Sequence, residues 1–135
     1  MRSSAGPNGF LLDTCSALLA LADPDALSPA ARQAILDGPN LLSVVSYWEV
    51  ILKSMKGTLD VGDPRAWWLD ALEQLAAAPL ILRPQHIAGI YVLPPVHKDP
   101  FDRMLIAQAT AEGLALVSRD SEIAQYASRG LRVVV

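Results

Sequence analysis

Four short acidic motifs are spaced along the chain so that a parallel sheet could gather most of their carboxylates at one edge. Asp13 closes the apolar run Phe10-Leu11-Leu12, and Glu49 sits in Ser46-Tyr47-Trp48-Glu49-Val50. Asp102 lies in Asp99-Pro100-Phe101-Asp102-Arg103-Met104-Leu105-Ile106-Ala107-Gln108-Ala109, and Asp120 ends Leu116-Val117-Ser118-Arg119-Asp120. With Pro100 as the first residue of a helix, Asp99 becomes its N-cap and Asp102 falls in the first turn, where the helix dipole favours a negative charge. At ~100° per residue, however, Asp102 also lies between Leu105, Ile106 and Ala109 on the stripe that must face the core. A carboxylate there needs a partner: a buried Arg, backbone amides or, if further acids converge on it, a hard divalent cation.

Each of the other acids has an ordinary explanation when taken alone. Asp13 and Asp120 follow apolar runs and could serve as helix N-caps. Glu49 precedes Lys53 by four residues, so an exposed ion pair on a helix accounts for it. Their placement together says more. Strands of a parallel sheet end along one edge, and ligands bind at that edge. Asp13 and Asp120 both stand just past such ends, and Asp102 begins the helix that feeds the second of them. Mutual repulsion would be relieved by a divalent cation. Carboxylates with no Cys or His cluster select Mg²⁺ or Mn²⁺ over zinc, and such a centre serves phosphodiester hydrolysis by activating water and stabilising the leaving oxygen.

Other reactive residues carry weaker signals. Lys53, Lys56, Arg103 and Arg119 lie near the acids in sequence and could contact RNA phosphates, or could be solvated surface charge. His86 and His97 lie near surface-like segments and read as solvated or hydrogen-bonded side chains rather than catalytic ones, and Cys15 as core of the Ala17-Leu18-Leu19 helix. No Ser/His/Asp spacing and no Gly-rich phosphate loop is present. Trp67 and Trp68 are adjacent, so they cannot both face the same core, and one is available to a protein partner. Trp48, Trp67 and Trp68 could stack on nucleobases, though packing is the commoner use.

The elements that must position these residues follow from periodicity and punctuation. Residues 1–8 read as a disordered start, and 9–135 as a single domain. Strands are expected at 9–13, 41–45, 79–82, 114–117 and 131–135. Helices are expected at 14–22, 29–36, 46–56, 65–77, 84–91, 100–112 and 121–128, with Gly113 in the C-terminal stop position. Short apolar strands alternating with helices indicate a parallel sheet covered on both faces. The 135 residues make one ordinary domain, and although 52 % are apolar, no run approaches the ~20 that would span a membrane. The net charge of −3 argues against a broad basic surface for nucleic acid, while leaving room for a nuclease with an acidic centre. A lone Cys15 and the absence of a leader point to a reducing, cytoplasmic setting.

In order and spacing, the motifs around Asp13, Glu49, Asp102 and Asp120 resemble those of PIN domains, most of all the VapC-type toxins of bacterial type II toxin-antitoxin pairs. The resemblance spans 10–135. It implies a three-layer α/β/α fold with a mostly parallel five-stranded sheet, and a Mg²⁺- or Mn²⁺-dependent endoribonuclease. It implies that Asp13, Glu49 and Asp102 bind metal, with Asp120 as the fourth acid and Ser118 as a supporting hydrogen-bonding residue. A homodimer and a small antitoxin that covers the acids are implied as well. Asp99 remains a cap. Two other classes stay open: a phosphoaspartate domain of receiver or phosphatase type, and a non-catalytic binding module. The phosphatase pattern needs an acid two residues after the first, where this chain has Cys15. A receiver needs paired acids near the first strand, and that pattern is also missing.

Overall fold

The computed structural model describes residues 7–135, so most of the segment expected to be disordered lies outside the described residues. Asn8 is tied down: its backbone N–H donates to Gly113 O at 2.9 Å and its side-chain amide to Glu112 O at 3.0 Å.

Five strands form one sheet: β1 (Phe10–Leu12), β2 (Asn40–Ser43), β3 (Ala77–Leu80), β4 (Ala115–Val117) and β5 (Val133–Val134), in the order β3-β2-β1-β4-β5. All four pairings are parallel, with Leu11 opposite Leu41 on one side and Leu116 on the other. Seven helices connect them: α1 (Thr14–Ala22), α2 (Pro29–Asp37), α3 (Val44–Met55), α4 (Pro64–Gln74), α5 (Pro84–Ile90), α6 (Pro100–Glu112) and α7 (Ser121–Ala124).

Successive strand residues point to opposite faces, and this alternation divides the core in two. Leu11 and Leu116 pack with Leu105, Ile106, Ala109, Ile123 and Tyr126 on one face. Leu12, Leu42 and Val117 pack with Ala17, Ala31, Val50, Trp67 and Ala71 on the other. Helices cover both faces, which gives the three-layer α/β/α arrangement. Each fully buried leucine contributes roughly 1.5–3 kcal/mol. The central strands therefore hold the sheet edge rigid.

Boundaries moved where a single residue overrode the pattern. The helix expected to reach 77 stops at Gln74, because Ala76 takes a left-handed φ of 48° and turns the chain into β3. β3 consequently starts two residues early, and it tolerates Pro79 because it is an edge strand. Ser43 accepts the N–H of Val45 at 3.0 Å and starts α3 inside the run read as strand. The segment expected to be one helix over 121–128 is α7 followed by a 3-10 turn, Gln125–Arg129. No helix among the described residues is long and apolar enough to cross a membrane.

Candidate metal centre

Topology selects the place. β1 is followed by β2 and β3 on one side, whereas β4 and β5 add on the other, so the connections diverge between β1 and β4. A crevice opens beyond the C-terminal ends of strands at such a switch point. Asp13 follows β1 there, and Asp120 follows β4.

Asp13 is buried and makes the strand-to-helix turn. Its Oδ1 accepts the N–H of Ser16 at 2.8 Å, and its own N–H donates to Val117 O at 3.0 Å. Burial raises its pKa above the usual carboxylate range, partly offset by hydrogen bonds from the Ser118 and Ser16 side chains. Ser118 thus stands behind Asp13, and its Oγ also accepts the N–H of Asp120 at 3.1 Å.

Glu49 is buried on α3 and fixed at both oxygens. Thr14 Oγ1 donates to Oε1 at 2.7 Å, and Lys53 Nζ stands 2.8 Å from Oε2. The i,i+4 ion pair is real, and so is the placement of Glu49 on the wall of the crevice.

Asp102 sits in the first turn of α6, where Asp99 caps the helix by accepting the N–H groups of Phe101 and Asp102 at 2.8 and 3.2 Å. Burial, then the charge of Asp99, push the Asp102 carboxyl up to about 7. His97 opposes the shift, while Asp13 and Glu49 add to it. Asp120 caps α7, its Oδ1 accepting the N–H of Glu122 at 2.8 Å. Burial acts to raise its pKa, but the His97 hydrogen bond and the Glu122 amide hold it below the ordinary value.

The result is an open cleft of about 420 Å³ whose walls carry Asp13, Glu49, Asp99, Asp102 and Asp120, with Lys53 and Arg119 at its rim. Arg119 makes no salt bridge among the described residues. Lys56 ends α3 outside the cleft lining. Arg103, expected to meet phosphate, points the other way. Its guanidinium donates to the carbonyls of Ile90, Leu93, Pro94 and His97 at 3.0 to 3.4 Å and so ties down the loop before α6.

Three expectations need correction. His86 and His97 are hydrogen-bonded, in line with one of the two readings, but both are buried rather than at the surface. His86 joins α5 to α6 through Glu112 Oε2 at 2.7 Å, and His97 stands 3.0 Å from both Asp102 Oδ2 and Asp120 Oδ2. Cys15 is exposed and lines the cleft, because the buried face at the start of α1 is Thr14, Ser16 and Ala17. The adjacent tryptophans do not part company as expected: Trp67 is buried in one core cluster, and half-buried Trp68 packs against the same cluster while stacking on Tyr47 with ring centroids 4.7 Å apart.

Comparison with known proteins agrees with this geometry. The PIN domain family model matches residues 10–129. This chain belongs to the PIN domain family. PIN domains are nucleases, so the family is one of phosphodiester hydrolases. Several solved structures share the PIN fold across nearly the whole chain. VapBC2 from Rickettsia felis, solved bound to a DNA fragment from its promoter, is 13 % identical with a TM-score of 0.64, covering 92 % of this chain and 96 % of that one. A toxin-antitoxin complex from Klebsiella pneumoniae is 18 % identical with a TM-score of 0.57 over 93 % and 95 %. FitAcB from Neisseria gonorrhoeae is 20 % identical with a TM-score of 0.58 over 93 % and 96 %. No curated protein matches the chain by sequence.

The donors of this PIN domain fit a hard divalent cation. The cleft offers several carboxylates and no thiolate cluster, and two of the acids are pushed up by burial. A cation would remove that conflict. His97, Asp102 and Asp120 each bring one donor atom within 4.8 Å of the others.

Proposed function

We propose that this PIN domain is the toxin of a type II toxin-antitoxin pair of VapC type, an endoribonuclease that works with Mg²⁺ or Mn²⁺ held by Asp13, Glu49, Asp102 and Asp120. The observation that carries this reading is the convergence of these four acids, from two strand ends and two helices, on a single cleft. A bound Mg²⁺ or Mn²⁺ supplies charge to the phosphate and lowers the pKa of water. The chain's own residues do the rest. Ser16 and Ser118 hold Asp13, and Thr14 with Lys53 holds Glu49, so the carboxylates need little reorganisation. Arg119 at the rim is the cation placed to meet an RNA phosphate, and Lys53 is the second once Glu49 engages the metal.

A small antitoxin would cover the cleft, and the likeness to toxin-antitoxin complexes supports it. Exposed Trp48, which makes a T-shaped contact with the Phe101 ring at a centroid distance of 5.0 Å, gives such a partner an aromatic anchor. We further propose a homodimer acting in the cytoplasm, where its RNA substrates lie.

The test is cleavage of a mixed panel of structured and single-stranded RNAs with Mg²⁺ or Mn²⁺, against EDTA and the Asp13→Asn, Asp102→Asn double variant. Metal-dependent cutting that falls more than ~100-fold in the folded double variant is expected, a larger loss than removal of an outer partner causes. Undiminished cutting by that variant sinks the proposal.

A further inference from the structure

His97 is a buried side chain in the metal centre to which the reading above gives no role. Its Nε2 lies 3.0 Å from Asp102 Oδ2 and 3.0 Å from Asp120 Oδ2, and the three donor atoms are close enough to share one cation. The immediate interpretation is a three-ligand site in which Nε2 bonds to the metal. The far side of the ring argues otherwise. Nδ1 accepts the N–H of Asp99 at 3.1 Å, so the proton of the neutral imidazole sits on Nε2, where it hydrogen-bonds Asp120 beside Asp102. A histidine that ligates through Nε2 carries its proton on Nδ1 and gives it to an acceptor. Here that proton would meet another N–H donor.

The surroundings fix this orientation. The His97 N–H donates to Tyr126 Oη at 3.0 Å, and the His97 carbonyl accepts Arg103 at 3.2 Å. Tyr126 in turn donates to Pro94 O at 2.7 Å and is almost fully buried. Both ends of the residue are therefore held by side chains anchored in the core.

We propose that His97 is a positioning residue of the metal centre: its Nε2–H hydrogen-bonds Asp120 while the ring stands in ion-pair contact with Asp102, and it holds both carboxylates toward one point without itself bonding the cation. The proposal rests on the reading of these acids as a metal site. One ring thereby sets the spacing between the first turn of α6 and the N-cap of α7, and the remaining carboxylate lone pairs stay available to the ion. His86 is the internal contrast. It has the same tautomer, with Nδ1 accepting the Arg83 N–H at 3.0 Å, but its Nε2 meets the single acid Glu112 at the seam of α5 and α6.

The test is Mn²⁺ affinity, read from the loss of the free-ion electron paramagnetic resonance signal, for the full chain and for His97→Leu, His97→Gln and His86→Gln, each checked by circular dichroism and melting. His97→Leu is expected to bind Mn²⁺ ~10- to 100-fold more weakly, as loss of a partner to a metal-ligating carboxylate does. His97→Gln, whose amide N–H has similar reach, should restore most of the affinity, and His86→Gln should leave it unchanged. Pulsed resonance of Mn²⁺ in the unaltered protein should show no directly bonded ¹⁴N. A bonded nitrogen, or full affinity in folded His97→Leu, overturns the role of His97 while leaving the metal site standing. If His97→Leu does not fold, the Gln variant and the pulsed spectrum decide. An unaltered protein that takes up no Mn²⁺ removes the metal site and this inference together.

Discussion

Asp102 is where local and global demands on the sequence conflict most. As a first-turn residue behind an Asp99 cap it is well placed for the helix, yet it is buried beside other acids and its carboxyl rises to about 7. That conflict was legible because an acid on the Leu105/Ile106/Ala109 stripe breaks the helical pattern. Asp13 and Asp120 were legible from their places after apolar runs. Glu49 was not, because its ion pair with Lys53 is a complete local explanation, and only the resemblance singled it out. His97 was missed because its burial comes from Tyr126 and Arg103, neither of which its own neighbours in sequence announce. If Asp102 is held at a cost in stability, Asp102→Asn should raise the melting temperature of metal-free protein by several degrees near pH 8, a shift that corresponds to about 1 kcal/mol in a domain of this size. The amide keeps the size of the carboxyl and removes its charge, so the variant isolates the charge. A melting temperature lowered in EDTA would show that Asp102 is not the strained group.

At the scale of elements, α6 and the loop before it form one unit. Gly113 ends the helix with φ 68°, a left-handed value that the sequence marked, and Pro100 with Asp99 starts it. The loop of residues 91–98 has no sheet or helix ladder of its own and depends on Arg103. In sequence that charge is open between an RNA phosphate contact and solvated surface, because an arginine near acids is ambiguous until the loop's carbonyls are located. Arg103→Leu should destabilise the protein by about 1–3 kcal/mol, since several half-buried carbonyls lose a charged donor. Denaturant midpoints would report the loss, and amide exchange should accelerate first in 91–98. Uniform acceleration across the sheet would place the role of Arg103 elsewhere. α4 shows a different limit of legibility: Ala76 has high helix propensity, and only tertiary context bends it into a left-handed turn before β3.

For the whole molecule, alternating strands and helices were enough to predict a parallel sheet with two covered faces, because each strand is nearly continuous apolar sequence. The same topology gathers the acids at one edge, so assembly of the fold and crowding of charge cannot be separated. This links stability to pH. Asp13 and Asp102 have folded pKa values above the ordinary 3.8, and Asp102 reaches about 7. The native state therefore binds more protons than the unfolded state between about pH 4 and 7, and stability falls as pH rises through that window. Asp63, lowered to about 2, and Asp120, lowered by His97, act in the opposite sense, but only below about pH 4, outside the window. Metal-free protein should thus melt at a higher temperature near pH 5 than near pH 8, with the difference reduced in Asp102→Asn. A cation at the proposed site would bind the deprotonated acids and stabilise the native state by mass action. Mn²⁺ should therefore raise the melting temperature much more near pH 8 than near pH 5. Scanning calorimetry at the two pH values, with EDTA and with Mn²⁺, measures both halves of the linkage. Equal Mn²⁺ shifts at both would mean that protons and cation do not compete for this cleft, and the ion would then have to sit elsewhere.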